Sequence, residues 1–220
     1  MFESKYSKVL TVILVIVIIA IIGLLGFLAY DYYQNYMVTK DSTDFVDNFE
    51  GEVTDGEADN TTVADNNETN PLDQIKDSNS NSTTKTKRTF KGFGVLGTME
   101  IPKTNFKYPV LEKVTKKSIE TAVAFLYGSE LNQAGNSVII GHNYRNGLFF
   151  SNNKKLSVGD KIYVTDNDGK KLTYTIYNKF ETTPEDTSFY QRDTGGKPEI
   201  TLSTCTDDSK ARLIIFAKAE

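Results

Sequence analysis

A cysteine, a histidine and an arginine are the residues of this sequence whose chemistry best suits catalysis. Cys205 is the only cysteine and His142 the only histidine among 220 residues. A thiolate is a strong nucleophile, and an imidazole can accept and donate protons near neutral pH. Arg212 follows Cys205 closely, and its permanently charged guanidinium can stabilise a developing oxyanion. Together these residue types suit acyl transfer through a covalent intermediate.

Each of the three residues also has a purely structural interpretation. A free cysteine is commonly a small buried apolar side chain, and a single histidine is commonly just hydrogen-bonded or exposed. Arg212 can be a surface residue paired with Asp207 or Asp208, which would contribute little. A zinc site is disfavoured because one histidine and one cysteine supply too few strong ligands. No metal or other cofactor is predicted.

The residues before Cys205 predict how the cysteine and the arginine come together. Side chains in Ile200–Cys205 alternate between an apolar face and a more polar face, as expected for a strand. We predict an antiparallel hairpin in which Cys205 lies opposite Arg212. That register also places Leu202 opposite Ile215 on the apolar face, so the apolar side chains stay together. His142 is placed only at the end of a separate apolar strand.

The second half of the chain, residues 89–220, is predicted to form one mainly β domain. Its strands are rich in β-branched and aromatic residues: Gly94–Ile101, Ser137–Ile140, Lys161–Thr165, Lys171–Glu181, Glu199–Cys205 and Arg212–Lys218. Asn167–Gly169 suits a hairpin turn, and Ser118–Phe125 suits a short helix capped by Ser118. Short strands, frequent turns and little helix favour a closed or nearly closed β-barrel.

The N-terminal region has the composition of a membrane anchor. Residues 9–30 contain no charge, and 22 helical residues span roughly 33 Å, enough to cross a bilayer core. Lys5 and Lys8 precede this run and Asp31 follows it, which places residues 1–8 in the cytoplasm and the rest outside. The alternative is a cleaved secretory signal, but no convincing small-residue cleavage site follows the run.

Residues 31–88 are predicted to be a disordered extracellular linker. Most of this stretch is acidic or polar, with too few apolar side chains to offset the entropy of ordering. The chain has a net charge of -4, and its acidic linker argues against a nucleic-acid partner.

Several short segments, taken in order, resemble the motifs of the sortase family. Thr201–Cys205 reads TLSTC and is similar to the TLxTC signature of sortases, and Arg212 follows as their strand arginine. Ile140–His142 is similar to their histidine segment, while Gly97–Pro102 and Tyr108–Val110 resemble their first strands. The TLSTC form is similar to class B. The stretch between Phe180 and Glu199 is too short for the long helical insertion of that class, so the subclass stays open.

This resemblance implies a barrel of about eight strands that acts as a membrane-anchored cysteine transpeptidase of Gram-positive bacteria. Sortases cleave a C-terminal, LPxTG-like sorting motif of secreted proteins and transfer the product to an amine of a cell-wall precursor or a pilin lysine. By position, Cys205 would be the nucleophile, His142 the general acid and base, and Arg212 the stabiliser of substrate and oxyanion. One alternative is an L,D-transpeptidase-like peptidoglycan cross-linking enzyme, although Thr204 occupies the place of its motif glycine. The other is a non-enzymatic cell-surface binding module.

Overall fold

A computed structural model of the chain describes residues 3–54 and 88–220. The described part contains nine strands: β1 (Thr89–Phe90), β2 (Phe93–Ile101), β3 (Phe106–Leu111), β4 (Val123–Gly128), β5 (Gly135–Ile140), β6 (Lys161–Asp166), β7 (Lys171–Thr182), β8 (Pro198–Cys205) and β9 (Arg212–Ala219). Its α-helices are α1 (Glu3–Thr54) and α2 (Lys116–Ile119), and two 3-10 helices span Pro102–Thr104 and Phe150–Lys155.

Strands β2 to β9 close into an eight-stranded barrel, because β2 pairs with both β3 and β6. The order around the barrel is β2, β3, β4, β5, β8, β9, β7 and β6, and β1 extends the sheet beside β2. Neighbouring strands are antiparallel except for the β3–β4 and β5–β8 pairs. The predicted fold, a mainly β closed barrel with few short helices, is therefore confirmed.

The β8–β9 hairpin has the predicted register. Cys205 lies opposite Arg212 and Leu202 opposite Ile215. Leu202 and Ile215 are fully buried in the barrel core. The other side of these strands packs beneath the β7–β8 loop, residues 183–197, where Phe189 joins a smaller apolar cluster. Apolar packing inside the barrel thus fixes which residue stands beside the cysteine.

The predicted β6–β7 hairpin is also present, but the predicted helix at Ser118–Phe125 is largely wrong. The helix is the single turn α2, capped by the Thr115 side chain rather than by Ser118. Strand β4 begins at Val123, which is fully buried and pairs with β3. Pairing with strands on both sides outweighs the weak helical pattern of this segment, as tertiary context often does.

Helix α1 continues well beyond the predicted end of the membrane span. Its N-terminal part contains a window of mean hydropathy 3.4 that is not buried, so by length and composition it can cross a membrane. The predicted disordered linker is wrong over residues 31–54, which are helical and pack onto the barrel through the buried Val46 and Phe49. The remainder of that predicted linker, 55–87, lies outside the described residues.

Candidate active site

Cys205 and Arg212 are brought together at the end of the β8–β9 hairpin. The Arg212 Nη1 donates a hydrogen bond to the Cys205 Sγ at 2.8 Å. Cys205 forms no disulfide and is partly exposed. This contact places a permanent positive charge beside the only sulfur of the site. The alternative partners of the arginine are engaged elsewhere, since Asp207 binds Lys154 and Asp208 accepts from Thr206.

His142 reaches the same place because β5 and β8 run parallel. Ile140 at the end of β5 is paired with Ser203, and both strands therefore end at the same edge of the barrel. His142 follows Ile140 by two residues, just as Cys205 follows Ser203. The Thr204 Oγ1 donates to the Gly141 carbonyl at 2.7 Å, which ties the two strand ends together.

The three predicted residues line one cleft of about 320 Å³. Ile119, Leu126 and Ile140 contribute apolar lining on the side of α2, β4 and β5. Phe189 and Tyr190 contribute from the β7–β8 loop. A cleft with apolar walls and a few polar groups at one point is typical of a ligand-binding site.

The surroundings of His142 favour its neutral form. Burial lowers the pKa of the imidazole, while the negative charge of Glu120 partly opposes this effect. The ring stacks on Tyr144 with centroids 4.7 Å apart and an interplanar angle of 27°. The stacked tyrosine limits the orientations that the ring can adopt at the mouth of the cleft.

Asn143 is a site residue that the sequence did not single out. Its Nδ2 donates to the Cys205 carbonyl at 3.0 Å and to the Asp207 Oδ1 at 2.9 Å. Hydrogen bonds from Lys154 and then Asn143 hold the pKa of the Asp207 carboxyl below its usual range. The Asn143 side chain therefore links the loop after His142 to the backbone of Cys205. The position of Asn143 directly after His142 is the feature of the sequence that could have identified it as a site residue.

The family's sequence model for the sortase domain matches residues 99–220, more than half of the chain. The chain belongs to the sortase family. Sortase A of Bacillus anthracis is 32% identical over 124 residues, which cover 55% of this chain and 58% of that protein. Sortase A of Streptococcus agalactiae is 28% identical over 133 residues, which cover 57% of this chain and 53% of that protein. The match thus covers less than two thirds of the length of either curated relative.

Solved sortase structures share the barrel. A lid mutant of sortase A from Corynebacterium diphtheriae has a TM-score of 0.52 and 30% identity, covering 57% of this chain and 70% of that one. The sortase D5 transpeptidase of Clostridium perfringens has a TM-score of 0.52 and 27% identity, covering 57% of this chain and 79% of that one. The class B-like appearance of TLSTC stays a prediction.

A second residue that sequence reasoning missed, Arg192, anchors the β7–β8 loop of this sortase domain. Its guanidinium binds the Glu199 carboxylate at 2.5 Å and donates to the Asn136 Oδ1 at 2.8 Å. Asn136 in turn donates to the carbonyls of Phe189 and Tyr190 at 3.2 and 3.0 Å. The loop wall of the cleft therefore depends on one partly buried arginine. An arginine among polar loop residues carries no sequence signal for such a role.

Proposed function

We propose that this sortase is a cysteine transpeptidase in which Cys205 is the nucleophile, His142 the general acid and base, and Arg212 the cationic stabiliser. The observation that carries the proposal is the Arg212 hydrogen bond to the Cys205 sulfur in a cleft also lined by His142. Membership in the sortase family supports the same assignment.

The proposed reaction has two acyl-transfer steps. The Cys205 thiolate attacks the carbonyl carbon of the scissile peptide bond, and Arg212 stabilises the resulting oxyanion. Protonated His142 gives its proton to the leaving amine as the bond breaks and a thioester forms. An incoming amine then attacks the thioester, neutral His142 takes its proton, and the thiolate of Cys205 leaves.

The proposed substrates are secreted proteins with a C-terminal, LPxTG-like sorting motif, and the proposed acceptor is an amine of a cell-wall precursor or a pilin. We further propose a single-pass cell-membrane protein, with residues 1–8 in the cytoplasm and the barrel outside. The apolar, unburied part of α1 supports the anchor, and the basic residues before it support the orientation.

The test is a transpeptidation assay with the full-length chain in detergent, a panel of sorting-motif peptides and several candidate amines. We expect an acyl-enzyme on Cys205 by mass spectrometry and a ligated product that depends on the amine. Cys205→Ala should abolish both. Arg212→Ala should lower kcat/KM by about 10²- to 10³-fold, the usual effect of removing one oxyanion donor. A folded chain that forms no acyl-enzyme with any peptide would overturn the proposal.

A further inference from the structure

The C-terminal part of α1, Asn35–Glu50, packs along the barrel, and we call it the docked segment. Its inward face is mainly apolar: Val46 and Phe49 are buried, with exposures of 0% and 2%, and the small polar Ser42 is buried beside them. The Phe45 ring meets Phe90 edge-on with centroids 5.1 Å apart. Removing such side chains from water is worth on the order of 25 cal/mol per Å² of apolar surface. This face therefore holds the helix on the barrel.

Ion pairs flank this apolar face along its length. These pairs join the helix to the barrel at three separate points: Asp41 with Lys91 at 2.8 Å, Asp47 with Lys107 at 2.5 Å and Glu50 with Lys171 at 3.0 Å. Each pair is partly exposed and contributes little energy by itself. Three pairs at fixed spacing nevertheless specify one position of the helix, because any shift along the barrel would separate all of them.

The end of the docked segment nearest the apolar run contacts the loop 143–149, which follows His142. Asn35 accepts a hydrogen bond from the Asn146 side chain at 3.1 Å. One turn further on, the Thr39 side chain lies close to the Tyr108 hydroxyl. A row of ring contacts continues from there to His142. The Tyr108 ring lies 5.3 Å from that of Phe149, and Phe149 lies 5.7 Å from Tyr144. The Tyr144 ring stacks on His142 at 4.7 Å, all measured between centroids.

These contacts limit the distance between the active site and a membrane crossed by residues 9–30. From Tyr30 to Asn35 the helix rises only about 7.5 Å. From Asn146 back to Asn143, which contacts Cys205, the chain can extend by no more than about 10 Å. Adding the three asparagine side chains and the two hydrogen bonds on this path, the cleft lies no more than roughly 35 Å from the end of the apolar run. A flexible coil over 31–87 would instead span on the order of 40 Å in variable directions.

We propose that the docked segment holds the barrel in one orientation, with the active-site loop 143–149 facing the lipid headgroups. The partner surface is the bilayer itself, and the cleft then meets only peptides and amines presented close to it. This inference rests on the proposed membrane span of α1. It does not depend on the proposed chemistry of Cys205.

The experiment uses Cys205 as a position for a fluorophore, since it is the only thiol in the chain. The full-length chain, labelled there and inserted in liposomes, is measured for energy transfer to an acceptor dye on the headgroups. Val46→Asp buries a charge under the helix and should release it, lowering the transfer efficiency by about twofold or more. Asn48→Asp adds the same residue on the exposed side and should leave transfer unchanged.

A second variant keeps every docking contact and changes only the connection to the membrane. A flexible Gly/Ser insertion between Tyr33 and Gln34 should also lower transfer, while amides of the docked segment stay protected from hydrogen exchange. If the inserted and unmodified chains give equal transfer, the inference is wrong. The inference is also wrong if the unmodified chain co-floats with the liposomes, and so is membrane-bound, but shows low energy transfer. A chain that does not float with the liposomes would overturn the membrane span on which it rests.

Discussion

Breaking the ion pair between Arg192 and Glu199 should strongly destabilise the barrel and its cleft. Only 15% and 11% of the two side chains are exposed, so water screens the pair weakly. The guanidinium also lies 3.8 Å from the centroid of the Phe216 ring. Removing one member of a buried pair leaves an uncompensated charge and typically costs about 3–5 kcal/mol. We expect a loss of that size for Arg192→Met.

This loss can be converted into a melting temperature. The 133 residues of 88–220 have an unfolding entropy of about 0.28 kcal/mol/K, from a typical 2.1 cal/mol/K per residue. A change of about 3–5 kcal/mol then lowers the Tm by roughly 11–18 °C. Thermal unfolding followed by circular dichroism measures this directly. Lys197→Met, on an exposed position of the same loop, should change the Tm by no more than about 2 °C.

A double-mutant cycle separates the pair from general damage to the loop. In Glu199→Gln the arginine loses its counter-charge, so this variant should also be destabilised. The combined variant Arg192→Met, Glu199→Gln removes both charges and should be more stable than the sum of the single losses, by at least about 1 kcal/mol. Additive losses, or a Tm shift of Arg192→Met as small as that of Lys197→Met, would refute this reasoning. In Arg192→Met, KM should rise by a larger factor than kcat falls, because the β7–β8 loop lines the cleft through Phe189.

Two further predictions concern single side chains. The ring of His142, followed by NMR, should titrate below the ordinary imidazole pKa of about 6.5, and Glu120→Gln should lower that pKa further by removing the charge that favours the imidazolium. Because the His142 pKa is lower in the folded chain than in the unfolded chain, the free energy of unfolding should fall as the pH drops from about 6.5 through the lowered pKa. Gly128→Ala should cost more unfolding free energy in urea than Gly159→Ala: both have positive φ, but a Cβ at Gly128 would lie 1.8 Å from the Asn136 carbonyl oxygen, whereas nothing lies near Gly159.

The half of the site that could be predicted from the sequence is the half formed by neighbouring strands. Only residues 206–211 separate β8 from β9, and alternation within each strand defines an apolar face. A one-residue slip would move Leu202 and Ile215 out of the core, so the apolar pattern together with the short connection selects the pairing of Cys205 with Arg212. Local sequence was sufficient because both the connection and the register are local.

His142 could be assigned to a strand end but not to the cleft. Its position depends on the parallel pairing of β5 with β8, two strands that are separated by β6 and β7 along the chain. Many strand orders are compatible with the same set of apolar runs, and only those that pair β5 with β8 in parallel bring the two strand ends together. The resemblance to a known family supplied that information in place of physical reasoning.

The docked segment was missed because composition was averaged over a long acidic stretch. Within it, Val38, Phe45, Val46 and Phe49 recur at helical spacing and form one apolar stripe. Acidic residues surround this stripe, and some of them pair with lysines of the barrel. The charge that suggested disorder is therefore part of what defines the docked position. A search for a 3.6-residue period within the stretch would have found the stripe.

The two halves of the site are held together by interactions of different strength. Cys205 and Arg212 belong to one hairpin whose register is fixed by buried apolar pairs, so they cannot separate without unfolding β8 or β9. His142 lies beyond the end of β5 and is tied to the cysteine strand only through its neighbours: Asn143 donates to the Cys205 carbonyl, and Gly141 exchanges hydrogen bonds with Ser203 and Thr204. Each such bond is worth only about 1 kcal/mol net. We therefore expect the histidine to be the member of the site whose position responds most readily to ligands and to changes in the loop 143–149.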